Sequence, residues 1–373
     1  MQEFLLPLCI EVFAGSMTKR TWIAAVAILL LLAALGFYAR ERWSVDGNAA
    51  RSEMLALMPA DASAVVFVDL AELRKSPFFL QLYKWAPRPE ADTDYAEFLR
   101  NTGFDYERDL NRLSLAVEKH GQESSLFAIA DGKFDRQKIA AYATGTGTIE
   151  KRGGRDIFSV PLSGSTRRIS FTFLRNDRLA ITDDADLSAF LAAKQNSSDA
   201  AEWHERFQRL AGSPVFAVVR QSAGAGAALA AQAPGGLRSP QLSALLDQLQ
   251  WLTLAAKPEN DGLRVVAEGE CTQEGTVRQL TDLLNGVTFL AQAGLNDPKT
   301  RQQLDPIVRE AYLELLKSAD ISKIDRGDTK SVRIVFDLTP RFLEAARLPS
   351  PPAPVTPPPS KPKTSPASKP RTR

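Results

Sequence analysis

Few stretches of this 373-residue chain bring together side chains that could do chemistry. The run "TDDADL" offers Asp183, Asp184 and Asp186, three carboxylates close enough to ligate calcium. It lacks the central glycine and distal glutamate of a calcium loop, so capping and dipole pairing at the start of a helix explain it without a metal. "DYERDL", from Asp105 to Leu110, supplies acids that could act as an acid and base pair on a glycosidic bond, but Arg108 between them predicts an ordinary surface ion pair. "SAGAGAA" follows a strand-like run, and Gly224 and Gly226 start a dinucleotide fingerprint. The third glycine position holds Leu229, so a flexible segment is expected there rather than a phosphate cradle.

The two histidines join no signature. His120 falls in an expected hairpin turn and His204 on the polar side of an expected helix. The two cysteines, Cys9 and Cys271, have no zinc, redox or haem spacing, and Cys271 reads as a small buried apolar residue. No catalytic, cofactor-binding or metal-ligating residue is assigned, no cofactor is expected, and the chain does not read as an enzyme.

The elements say more. From Met17, "MTKRTWIAAVAILLLLAALGFYARERW" places Lys19 and Arg20 before an apolar run from Trp22 to Tyr38, then Arg40 and Arg42. At 1.5 Å per residue that run covers about 26 Å, a little under a hydrocarbon core of about 30 Å. It predicts one transmembrane helix, a retained signal anchor over residues 17–42, because Ala34-Leu35-Gly36 is a weak cleavage site; the alternative is a cleaved signal that releases the body into the periplasm. Residues 1–16 read as an upstream extension. The short lead favours a cytoplasmic N-terminus with the body exported.

Past a polar linker (43–58), two α+β units are expected, at 59–200 and 201–347. "LSLAVEKHGQESSLFAIADGKF" and "LTLAAKPENDGLRVVAEGEC" share apolar positions, a polar turn and a closing Ala-acid-Gly. Each is preceded by a strand and a helix, "AVVFVDL" with "LRKSPFFLQL" and "PVFAVVR" with "LRSPQLSALL". The order βαββα occurs twice, and the first copy closes with a strand at 148–152. This predicts an internal duplication of ferredoxin-like units with antiparallel sheets. Val332, Ile334, Phe336 and Leu338 alternate as one face of a half-buried strand. Further hairpins are expected at Gly153-Gly154 and Asn176-Asp177. Trp203, Phe207 and Leu210 predict a helix packing into the following unit, and Leu304, Val308, Tyr312 and Leu315 predict another helical stripe.

The tail (348–373) is expected to be a disordered Pro/Lys-rich arm. From Pro349 it holds ten prolines and five Lys or Arg with no acid. Set against the formal charge of +2, that leaves the rest of the chain at about −3. A mildly acidic body excludes a polyphosphate binder, so no nucleic acid partner is expected. The tail is expected to be extended, about 75 Å at full reach, and to touch anionic envelope polymers, with a PxxP at Pro359 to Pro362.

The apolar segment, the opening "MPADASAVVFVDL" and "TGFDYERDLNRLSLAV" together resemble uncharacterised bacterial envelope proteins, a domain-of-unknown-function class, loosely over residues 55–345. The resemblance implies a bacterial source and a periplasmic body, and no defined activity. The expected role is a non-enzymatic inner-membrane protein, single-pass, whose body binds another envelope protein. One alternative is a carrier or sensor of a small apolar ligand lined by Phe78, Phe79, Phe171 and Phe173. The other is a carboxylate-dependent hydrolase.

Overall fold

Runs of β-branched and aromatic residues broken by Gly, Asn and Asp turns make this an antiparallel sheet protein with helices inserted between strands. The computed structural model describes residues 49–85, 93–120, 123–162, 167–184, 187, 198–221 and 240–346. The apolar segment 22–38, Cys9, Gly224, Gly226, Leu229, Asp186 and the tail lie outside them. Among the described residues no helix is long and apolar enough to cross a membrane.

The chain begins with β1 (Ala64–Asp69), α1 (Leu70–Leu73), α2 (Pro77–Trp85), α3 (Thr93–Thr102) and α4 (Tyr106–Asp109). Next come β2 (Leu110–His120), β3 (Glu123–Gly132), α5 (Arg136–Thr146), β4 (Thr148–Arg152), β5 (Arg155–Pro161), β6 (Arg168–Arg175) and β7 (Arg178–Thr182). After α6 (Ser198–Arg209) follow β8 (Val215–Arg220), α7 (Pro240–Leu246), β9 (Trp251–Glu259) and β10 (Gly262–Cys271). The last elements are α8 (Glu274–Asn296), α9 (Pro298–Gln303), α10 (Pro306–Ser318), β11 (Asp320–Asp325), β12 (Lys330–Leu338) and α11 (Pro340–Ala346). The fold is α+β, with a twelve-stranded sheet.

Contacts divide the described chain into two units, 49–65 with 113–211 and 66–112 with 212–346. In the first, the strand order is β2-β3-β7-β6-β5-β4. Gly153 and Gly154 turn the β4–β5 hairpin at φ +56° and +77°, the left-handed pair that a two-residue hairpin loop requires. Asp135 caps α5 by accepting from the Lys138 N–H at 3.1 Å, and Ile139 and Ala143 face the core. Trp203 and Phe207 of α6 are buried, and the Trp203 indole donates to the Ala60 carbonyl at 3.1 Å. That helix is therefore bonded within the unit it closes.

Residues 49–58 belong to the same core. Residues 49–55 are helical, which puts Met54, Leu55 and Met58 of the "MLALM" run inward. Arg51 donates to the Leu210 carbonyl at 2.8 Å. The expected polar linker is thus body from residue 49 on.

In the second unit the order is β11-β12-β10-β9-β8, all antiparallel. Val332, Ile334, Phe336 and Leu338 stand opposite Gly269, Ala267, Val265 and Leu263, sharing one face as the alternation predicts. On that face Val277 and Leu280 of α8 pack with Leu249, Cys271 and Val332. Leu249 lies over Gly269, where an added Cβ would come within 2.9 Å of its Cδ2. Ser76 caps α2 through the Phe79 N–H, and Pro77 opens the helix as expected.

Two expectations are corrected. A split βαβ unit inserts its third strand between the first two. Here β8 pairs directly with β9 and β9 with β10, so the strands form a meander and not a ferredoxin-like order. The strand beside β3 is β7, while β4 pairs with β5 at the far end of its order. The stripe 304–315 also differs. Pro306 starts α10 under an Asp305 cap, which leaves Leu304 outside it, and Ala311 and Leu313 are its buried residues.

Candidate interaction surface

Helix α8 has 23 residues and at 1.5 Å per residue is about 34 Å long. Its first two turns are fixed by the core. Its last buried residue is Thr281, and from Asp282 to Asn296 nothing is buried. A solvated helix of that length ordinarily carries Lys and Glu on its open side. Residues 283–296, "LLNGVTFLAQAGLN", carry no charge at all. Phe289 and Leu290, neighbours on one side of the helix, are 69% and 68% exposed.

One side of this half is held by α10, where the Gln292 side-chain amide donates to the Leu316 carbonyl at 2.9 Å. On α10 itself Ile307 is exposed, and Tyr312 meets the edge of Phe342 with ring centroids 5.4 Å apart. The other side of α8 stays open. Spacing of four puts Asp282, Gly286, Leu290 and Gly294 on one stripe. A Cβ added at Gly286 or Gly294 would meet nothing within 4 Å, so packing inside the chain does not require glycine at either position. Each glycine costs the helix roughly 1 kcal/mol relative to alanine. Two large apolar side chains exposed side by side on an uncharged stretch of helix stand apart from singly exposed leucines, which are ordinary.

Charges that are buried elsewhere serve the fold. Glu268 on β10 stands opposite Arg333 on β12, which donates to its Oε2 through Nη2 at 2.9 Å and Nε at 3.1 Å. Arg326, from the β11–β12 turn, grips both oxygens and donates to Ser331 Oγ at 2.9 Å. Burial alone would raise the Glu268 carboxyl. The hydrogen bonds from Arg326 and Arg333 outweigh it and hold the group below its ordinary value. A carboxylate so stabilised as an anion makes a poor proton acceptor.

In the first unit Arg178 is 1% exposed and holds Asp131 in a two-pronged pair at 2.6 and 2.8 Å. Its Nη1 lies 3.0 Å from Glu53 Oε2, an ion pair whose angle falls short of a hydrogen bond, and Nη2 donates to the Ala50 carbonyl. The cluster ties the helical residues 49–55 to β3 and β7. None of these charges stood out in the sequence, since the partners are 47 residues apart in one cluster and 58 and 65 in the other. Strand register could have found Glu268 with Arg333.

The expected chemical residues are dispersed. Asp183 accepts from the Leu126 N–H at 2.6 Å and pairs with Arg167 at 3.4 Å, closing a strand end, while the helix expected to follow it lies outside the described residues. Asp105 accepts from the Glu107 N–H and Asp109 from the Asp105 N–H, while Arg108 holds both Asp109 oxygens. Asp105 and Asp109 of "DYERDL" are thus spent on a one-turn helix and its ion pair. His204 is exposed, its ring nitrogen 2.8 Å from the Gln208 amide. Cys271 is buried, and that burial raises its thiol pKa. Phe78 and Phe79 fall in the second unit. Phe171 and Phe173 fall in the first, with Phe158 stacked on Phe171 at 5.1 Å. Among the described residues no group of three or more His, Cys, Asp or Glu converges as a metal site would require.

No family model matches the chain, and no curated protein matches it. Among solved structures, crystal forms IV, III and I of TP0453 are similar, each at 10% identity, with TM-scores of 0.40, 0.41 and 0.41. They cover 78, 78 and 79% of this chain and 94, 96 and 95% of that one. Scores this low transfer nothing beyond a loose likeness of fold.

Proposed function

We propose that this chain is a non-enzymatic, membrane-anchored envelope protein whose exported body is a protein-interaction module. The observation that carries the reading is the far half of α8, a helix end with no charge between Asp282 and Asp297 and with Phe289 and Leu290 open to solvent. Burying two such side chains against a partner is worth about 1.5–3 kcal/mol each. The anchor is residues 17–42, the address is the inner membrane with the body in the periplasm, and the basic tail adds weak contacts with anionic envelope polymers. The likeness to uncharacterised bacterial envelope proteins belongs to the same reading.

The body is further read as one α+β module present twice. What supports this is a matching ladder: β2-β3-β7-β6 and β9-β10-β12-β11 each run from a hairpin to the last strand of the copy and then to the one before it. On this reading the β4–β5 hairpin is an insertion in the first copy and α9–α10 an insertion in the second.

Crosslinking and co-purification of the full chain from envelope fractions tests the function. Phe289→Ser with Leu290→Ser should lose the captured partners while leaving the unfolding midpoint in place. Full capture by that variant, with loss only on deleting residues 349–373, would move the binding out of the folded body.

A further inference from the structure

We infer that one end of the first unit's sheet rests on the anionic phosphate headgroups of the membrane that holds the chain. This goes beyond the α8 surface and rests on the proposed anchor over residues 17–42. Strand register gathers two turns and the end of β3 at that end of the sheet. Arg152 pairs with Arg155 across the Gly153-Gly154 turn, Arg175 with Arg178 across the Asn176-Asp177 turn, and Asp131 of β3 with Arg178. Phe158 opposite Phe171 sets the two turns side by side. The chain also enters the body here. Arg178 Nη2 donates to the Ala50 carbonyl at 3.2 Å, and Arg175 Nη1 lies 2.9 Å from Glu53 Oε2. From Arg42 to Ala50 is eight residues, a span of at most about 29 Å. The opposite end of the sheet, at Leu162, lies a further length of β5 away, about 24 Å for its seven residues. Of the two ends, the tether delivers this one.

Charge decides what that end meets. Residues 50–53, 131–138, 150–156 and 175–178 hold nine Lys or Arg against six Asp or Glu, a net +3. The chain ahead of its tail sums to about −3, so its other residues together sum to about −6. Each of the six acids has one of these cations within 3.9 Å. Lys133, Lys151 and Arg155 are exposed, the Lys151 side chain by 85%, and the last two flank the glycine turn. A phosphate surface attracts this end and repels the remainder of the body. Among anionic partners, the short tether singles out the membrane.

The test uses the full chain with Cys9→Ser, the buried Cys271 being left in place, in vesicles of phosphatidylcholine with or without phosphatidylglycerol. A fluorophore on Asn176→Cys, an exposed turn position, is compared with one on Leu162→Cys, exposed at the far end, using lipid that carries a quencher on its headgroup. With phosphatidylglycerol present, the Asn176→Cys signal should be quenched at least about threefold more than the Leu162→Cys signal. The difference should vanish at about 1 M salt, where the screening length is about 3 Å. Lys133→Glu, Lys151→Glu and Arg155→Glu together should remove it too, while the Trp203 unfolding midpoint holds because all three side chains are exposed. Equal quenching at the two positions, on chains that resist extraction at high pH, overturns the inference and leaves the anchor standing. A difference that survives the triple reversal, or that is the same without phosphatidylglycerol, also overturns it, because the tether alone then sets the orientation. Chains stripped from the vesicles at high pH remove the anchor and the inference together.

Discussion

Replacing Glu268 by glutamine keeps the shape of the side chain and one accepting oxygen but takes away the charge that Arg326 and Arg333 share. Those guanidiniums, with side chains 23% and 35% exposed, then face each other without a carboxylate. Breaking a fully buried pair costs about 3–5 kcal/mol, and partial exposure of both arginines lowers this to roughly 2–3 kcal/mol. With a urea dependence of about 2–3 kcal/mol per molar, the transition should fall by about 1 M. Trp251, 4% exposed and paired in register with Glu270 on the next strand, reports the second unit, and Trp203 reports the first. The shift should appear in the Trp251 signal. The sign with pH follows from the direction of the shift. The folded carboxyl is lowered from its ordinary 4.5, so its contribution is full above that value and is lost as the pH falls through the lower folded value. The gap between wild type and Glu268→Gln should therefore close in acid. A gap that widens as the pH drops, or one carried by the Trp203 transition alone, would refute the assignment of Glu268 as the anion that holds these strands.

Two further outcomes follow from close contacts. Gly147→Ala would bring a Cβ to 2.2 Å from the Ser159 carbonyl oxygen, a backbone atom that cannot swing aside, so α5 and β5 must separate; the expected loss is about 3 kcal/mol, read from the urea midpoint, and a near-neutral result would refute the contact. Arg178→Met leaves Asp131 buried and unpaired at about 3–5 kcal/mol and frees residues 49–55, so amide exchange there should rise well before the rest of the unit opens; Arg178→Met with Asp131→Leu should recover much of the loss.

What could be read along the chain was local. Alternation gave the faces of β12, Ser76 and Asp135 announced their helices, and paired turn residues placed the hairpins at Gly153-Gly154 and Asn176-Asp177. Each depends on residues within about ten positions of one another. What stayed hidden depends on neighbours far apart in the chain. That β7 and not β4 lies beside β3 is settled by side-chain packing across some fifty residues, and turn chemistry says nothing about it. Arg178 follows a turn and looks solvated, yet β7 carries it inward to Asp131. Met54 and Met58 looked like part of a polar lead because Arg51, Ser52 and Glu53 stand beside them, and only the helical turn shows that the two faces differ. The α8 surface did leave a signal, a run at 283–296 without a charge, but its place on one side of a helix needs the helix bounds. The expected mixed fold stands, and the ferredoxin order does not, because composition and periodicity determine element type while strand adjacency is a property of the whole chain.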